Sequence, residues 1–140
     1  MYFLLVEDDR TLGPLIQEEL RIAFSAAWET TVIVDLRLNG NLAQQQLAKR
    51  IAQHQRIDGV ITDIGLVAGA QNGLDLIRWI RSHPVVGRTP IVILSGHIAR
   101  AQPLIAEGLI AAQACIPKGV DLTEMVERLV SLMMTPKNEG

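Results

Sequence analysis

Short aliphatic runs alternate along the chain with segments of helical period, and this alternation defines successive strand–helix units. The runs Tyr2 to Val6, Val32 to Val34, Val60 to Ile61, Ile91 to Leu94 and Ala114 to Ile116 show no alternation of polar and apolar positions. Strands of that kind are covered on both faces, which implies a parallel sheet. After the first run, Leu12, Leu15, Ile16, Leu20, Ala23 and Phe24 fall on one helical face, with Gln17, Glu18 and Arg21 on the other. Leu47, Ala48, Ile51 and Ala52 form a weaker stripe, and Leu74, Ile77 and Ile80 mark a third helix after Gly73. Pro103 and Gly108 bracket a short fourth helix, Leu104 to Glu107, since proline is tolerated in a first helical turn. Leu122, Met125, Val126, Leu129, Val130 and Met133 repeat at i, i+3, i+4, i+7, with Asp121 and Glu124 placed to cap the start of this last helix. Right-handed crossovers then predict an α/β fold, a doubly wound five-stranded parallel sheet of order 2-1-3-4-5.

Composition narrows the picture. The 140 residues are 49% hydrophobic and 20% charged, which describes one domain able to bury a core. Residues 1–134 are read as that domain, and the polar stretch 135–140 as a tail or linker stub. No run reaches the length of a membrane span, and the apolar opening meets Glu7 without a basic start, so a cytoplasmic protein is expected. A net charge of -2 offers no footprint for nucleic acid. The single cysteine, Cys115, permits neither an internal disulfide nor a thiolate zinc site, and reads as a core residue. Trp28 and Trp79 read as packing residues.

In an open parallel sheet, ligands bind beyond the carboxyl ends of the strands, where strand order reverses. The residues at those ends are Glu7, Asp8 and Asp9 after the first strand, Asp63 after the third, Ser95 after the fourth and Lys118 after the fifth. Carboxylates crowded on one rim repel unless a hard divalent cation and a lysine balance them, and Mg2+ is the natural candidate. An aspartate can act as nucleophile toward phosphorus to give an acyl phosphate, with the cation, the lysine and a serine hydroxyl stabilising the equatorial oxygens.

The chain resembles a receiver domain of two-component response regulators, a flavodoxin-like three-layer sandwich, over nearly its whole length. Phe3-Leu4-Leu5-Val6-Glu7-Asp8-Asp9 is similar to the family's first strand and acidic pair, Gly59-Val60-Ile61-Thr62-Asp63 to its phosphoacceptor strand, and Pro90-Ile91-Val92-Ile93-Leu94-Ser95-Gly96 to its hydroxyl strand; Lys118 matches its lysine. The resemblance implies that Asp63 accepts a phosphoryl group from a histidine kinase or phosphotransfer protein, assisted by Ser95 and Lys118. It implies Mg2+ held by Glu7, Asp8, Asp63 and the Gly65 backbone carbonyl. The output would be binding to an output domain or downstream protein, with homodimerisation left open, and the only chemistry would be on the chain itself. Four features depart from the pattern: the stretch between the acidic pair and Asp63 is longer than usual, the loop from Ile64 to Asn72 lacks the usual Met-Pro, Gly119 follows Lys118 where a proline after a cis peptide is usual, and Cys115 occupies the aromatic switch position.

Other readings remain. Glu7, Asp8 and Asp9 could simply favour the positive end of the first helix, and Ser95 could cap the next one. His97 lies close enough to Ser95 to overhang the site. A haloacid-dehalogenase-like phosphohydrolase would want Asp-x-Asp-x-Thr after the first strand, where the chain has Glu7-Asp8-Asp9-Arg10-Thr11. A flavin or nucleotide module is the third possibility, although Gly65, Gly69 and Gly73 match no phosphate-cradling fingerprint. A degenerate receiver that binds partners without phosphorylation is the fourth.

Overall fold

The computed structural model describes residues 1–65, 73–119 and 121–134. Gly69, most of the loop before Asn72 and the expected tail at 135–140 lie outside the described residues. Five parallel strands, β1 (Tyr2–Val6), β2 (Ile33–Arg37), β3 (Gly59–Thr62), β4 (Ile91–Ser95) and β5 (Cys115–Pro117), form one sheet of order β2-β1-β3-β4-β5. The helices α1 (Leu12–Trp28), α2 (Gly40–Ala52), α3 (Gly73–Ser82), α4 (Gln102–Ala106) and α5 (Leu122–Met134) connect and follow them. Strand order reverses between β1 and β3, whose register pairs Phe3 with Gly59 and Val6 with Thr62.

The apolar side chains of β1, β3 and β4 divide between two cores, which is why these inner strands carry no polar alternation. Leu4, Val6, Val60 and Ile93 pack with Leu47, Leu76, Ile77 and Leu104 on the α2, α3 and α4 side. Phe3, Leu5, Ile61 and Val92 pack with Ile16, Leu20, Phe24, Met125 and Leu129 on the α1 and α5 side. Trp28 closes that second core, its ring 5.5 Å from Phe3 and 5.2 Å from Phe24. Trp79 packs at the edge of the first, beside His83.

The expected elements are all present, with shifted bounds. β2 runs on through Asp35 and Arg37 because it is an edge strand whose polar residues pair with each other and with Tyr2. Leu15 is not part of the buried face of α1: it is 53% exposed, while Ile16, Leu20 and Phe24 carry the contact. The fourth helix begins earlier than expected, after a 3-10 turn at Ile98–Ala101, and Pro103 falls in its first turn. Gly108, at φ 72°, ends it in a Schellman motif: its N–H donates to the Ile105 carbonyl and that of Leu109 to the Leu104 carbonyl. Asp121 caps α5 by accepting from the Glu124 N–H at 3.0 Å. The described chain contains no cis peptide, so the Lys118–Gly119 bond is trans.

Candidate functional site

Parallel strands deliver their last residues to one edge, and backbone hydrogen bonds extend the ladder just past the strands. The Glu7 N–H donates to the Arg37 carbonyl, that of Asp63 to Val6, and that of Lys118 to Ser95. Three carboxylates gather there, with one oxygen each from Glu7, Asp8 and Asp63 lying within 4.8 Å of one another. Lys118 Nζ is 2.8 Å from Asp63 Oδ2 and also forms an ion pair with Glu7. The other Asp63 oxygen accepts from the Gly65 N–H at 3.0 Å. One aspartate carboxylate is therefore held at both oxygens by donors from different loops.

The electrostatics follow from burial. Glu7 is 2% exposed, and loss of solvent raises its carboxyl above the ordinary range, offset in part by Lys118 and by the Asp9 N–H. Burial alone would depress Lys118, yet hydrogen bonds and charge from Asp63 and Glu7 outweigh it, so the ammonium is held above its usual range. These directions describe a cation locked between two acids.

The run of three acids divides its labour. Asp9 turns away: its Oδ1 accepts from the Thr11 and Leu12 N–H groups, each at 2.8 Å, which caps α1 and lowers its own carboxyl. Helix capping is thus the correct account of Asp9, and Glu7 and Asp8 remain with Asp63. Ser95 is 1% exposed at the end of β4, and its Oγ accepts from the His97 N–H at 2.9 Å. The Thr62 hydroxyl donates to the Asp63 carbonyl, fixing the backbone of the turn.

Two residues at this rim were not legible as site residues in the sequence. Gly73 opens α3 so close to the turn that an added Cβ would stand 2.1 Å from the Asp63 carbonyl oxygen. Its place after a loop and before a helical stripe was the available signal. Arg100 reaches back from the 3-10 turn to the space beside Gly65, and nothing in the local pattern announced that turn. A groove of about 800 Å³ lies at the other end of the sheet, lined by Met1, Phe3, Asp58, Pro90 and Met133. It is remote from the carboxylates, contrary to what a nucleotide or flavin module would need at the switch point.

An acidic rim with a fixed lysine on a doubly wound sheet defines a receiver-type architecture. The family model described as "Response regulator receiver domain" matches residues 3–130, and the chain belongs to that family. It is similar in fold to the phosphorylated cyanobacterial phytochrome response regulator RcpA, with a TM-score of 0.72, 24% identity, and coverage of 94% of this chain and 89% of that one. A response regulator receiver domain from Rhodospirillum rubrum gives 0.70 at 20% identity, covering 95% and 91%. The Mn(2+)-bound form of response regulator Rcp1 gives 0.63 at 18% identity, covering 94% and 90%. Comparison with curated proteins gives no match.

Proposed function

We propose that this receiver domain, residues 1–134, accepts a phosphoryl group on Asp63 from a histidine kinase or phosphotransfer protein. The observation that carries the reading is the Asp63 carboxylate, held by Lys118 at one oxygen and by the Gly65 N–H at the other beside two further acids. A free Asp63 oxygen lone pair attacks phosphorus, the P–N bond of the phosphohistidine breaks, and its electron pair returns to the imidazole. Lys118 holds charge on a phosphoryl oxygen, and Ser95 turns its hydroxyl to donate to another.

The donor set suits a hard divalent cation, being all carboxylate oxygen within a span one ion can bridge. Glu7, Asp8, Asp63 and the Gly65 carbonyl would hold Mg2+, which supplies charge neutralisation between donor and acceptor when bound. The product is an acyl phosphate whose effect is a change in binding, either of an output domain or of a downstream protein. The exchange is read as cytoplasmic and residues 135–140 as a tail or linker stub; among the described residues no helix is long and apolar enough to cross a membrane.

Intact-mass measurement after incubation with acetyl phosphate and Mg2+ tests this. One phosphoryl adduct is expected on the parent chain and none on Asp63→Asn. An adduct that survives that substitution overturns the assignment, and sustained release of phosphate from small phosphoesters would favour a phosphohydrolase instead.

A further inference from the structure

The gap that Gly65 leaves by lacking a side chain is bounded by two groups of opposite charge. An ideal Cβ placed there stands 3.3 Å from Arg100 Nη1 and 3.9 Å from Asp63 Oδ1. The guanidinium and the Asp63 carboxylate thus border the same small volume, yet they form no ion pair with each other. Nor does the Arg100 side chain pair with any other acid among the described residues. The turn that carries it is anchored: Ala101 is fully buried, Ile98 packs against the same core, and these two share one side of a 3-10 turn. Arg100 lies off that side, exposed, and its backbone N–H is fixed to the His97 carbonyl.

We infer that Arg100 is a second cationic contact for the phosphoryl group, engaged only when Asp63 carries it. The inference rests on the acceptor role proposed above. Three carboxylates stand against Lys118, and the divalent cation proposed above would bring the resting site near neutral. Transfer replaces the single charge of Asp63 with the roughly -1.5 to -2 of a phosphoryl group, and that added charge requires another cation. A guanidinium fits because its planar fork donates two parallel hydrogen bonds to phosphate oxygens. Engagement ties the anchored Ile98–Ala101 turn, and with it the start of α4, to the occupied site, so one residue both holds the group and reports its presence.

Calorimetric titration with beryllofluoride in Mg2+, and with Mg2+ alone, distinguishes the outcomes for the parent, Arg100→Ala and Arg100→Lys. Arg100→Ala is expected to weaken beryllofluoride binding about tenfold, the loss of a charge-assisted hydrogen bond. Arg100→Lys falls between, and Mg2+ binding alone is not weakened. An Arg100→Ala chain with parental beryllofluoride affinity overturns the inference while leaving the acceptor role standing. Equal weakening toward Mg2+ alone marks a general disturbance of the rim and overturns it too. A parent chain that binds no beryllofluoride overturns the acceptor role itself.

Discussion

Lys118 Nζ stands 2.8 Å from Asp63 Oδ2 across 55 positions of sequence, and it is shared with the buried carboxylate of Glu7. A cation fixed there before any phosphoryl group arrives costs no reorganisation at the moment of transfer. Lys118→Met is therefore expected to slow phosphoryl uptake by about 10²–10³, the range found when one preorganised donor is removed. Time-resolved intact mass with acetyl phosphate reads it, and parental rates would contradict the role.

The same substitution exposes the balance of charge around Glu7. Burial already raises the Glu7 carboxyl, and a raised acid contributes stability that is full below its unfolded pKa and is lost as pH climbs through the folded one. In the parent, Lys118 offsets that loss. Without it the deprotonated Glu7 is an unpaired buried charge, a defect of about 3–5 kcal/mol near neutral pH. Denaturant melts of parent and Lys118→Met should therefore diverge as pH rises from acid to neutral, and Glu7→Gln in the same chain should close most of the difference. A gap independent of pH would show that Glu7 is not the group left unpaired.

Much of this cluster is legible in the sequence, because parallel strands end on one edge and Glu7, Asp63, Ser95 and Lys118 each follow or end an aliphatic run. What the pattern could not resolve is orientation beyond the last strand residue. Of three consecutive acids, Asp9 caps α1 and only the other two join Asp63, since period-2 logic stops where the strand does. Arg100 stayed invisible for a related reason: its turn is anchored by Ile98 and Ala101 alone, too few apolar positions to register as an element. Leu15 misled in the opposite sense, since apolar residues are common on protein surfaces.

Gly73 ties helix placement to the Asp63 turn. A methyl group there would meet the Asp63 carbonyl oxygen at 2.1 Å and the Ile64 Cα at 2.8 Å, and backbone atoms cannot swing aside as a side-chain tip can. Gly73→Ala must displace either the start of α3 or the Asp63 turn, at a cost of about 1–3 kcal/mol or more. Thermal melts and phosphoryl uptake should fall together. A variant with unchanged melting and uptake would mean that α3 accommodates the methyl freely.

At the far end of the sheet, the hydroxyl of Tyr2 donates to Asp35 Oδ2 at 2.5 Å, and the Arg50 guanidinium lies 3.5 Å from its ring centre. Burial, then the hydrogen bond to Asp35, raises the phenol well above its ordinary value. A raised group gives its full stability below its unfolded pKa, near 10, and loses it as pH rises further. Tyr2→Phe removes a hydrogen bond to a charged group and should lower stability by about 1.5–3 kcal/mol at neutral pH. It should also flatten the loss seen above pH ~10. Tyr2 is the chain's one tyrosine, so tyrosinate absorbance follows it directly, and an ordinary midpoint in the folded protein would refute the account.

The route by which the proposed phosphorylation would leave the site follows from what Ser95 and Cys115 can do. Cys115 is small and already buried, so any inward movement changes little apolar area and supplies little free energy to bias two states. Ser95 is differently placed, because its Oγ accepts the His97 N–H at 2.9 Å. Turning that hydroxyl toward a phosphoryl oxygen loosens the first hydrogen bond of the segment leading through Ile98–Ala101 into α4. Beryllofluoride with Mg2+ is therefore expected to shift the amides of Gly96 to Gln102 most, with weaker effects on Cys115 and on Leu122 to Val130. In Arg100→Ala the response should contract toward Gly96 and His97, since the tie between the phosphoryl group and the following turn is gone. Heteronuclear chemical-shift mapping reads both spectra. If the largest remote shifts centre instead on β5 and α5, the signal passes through Cys115, and the coupling through Ser95 and His97 is wrong.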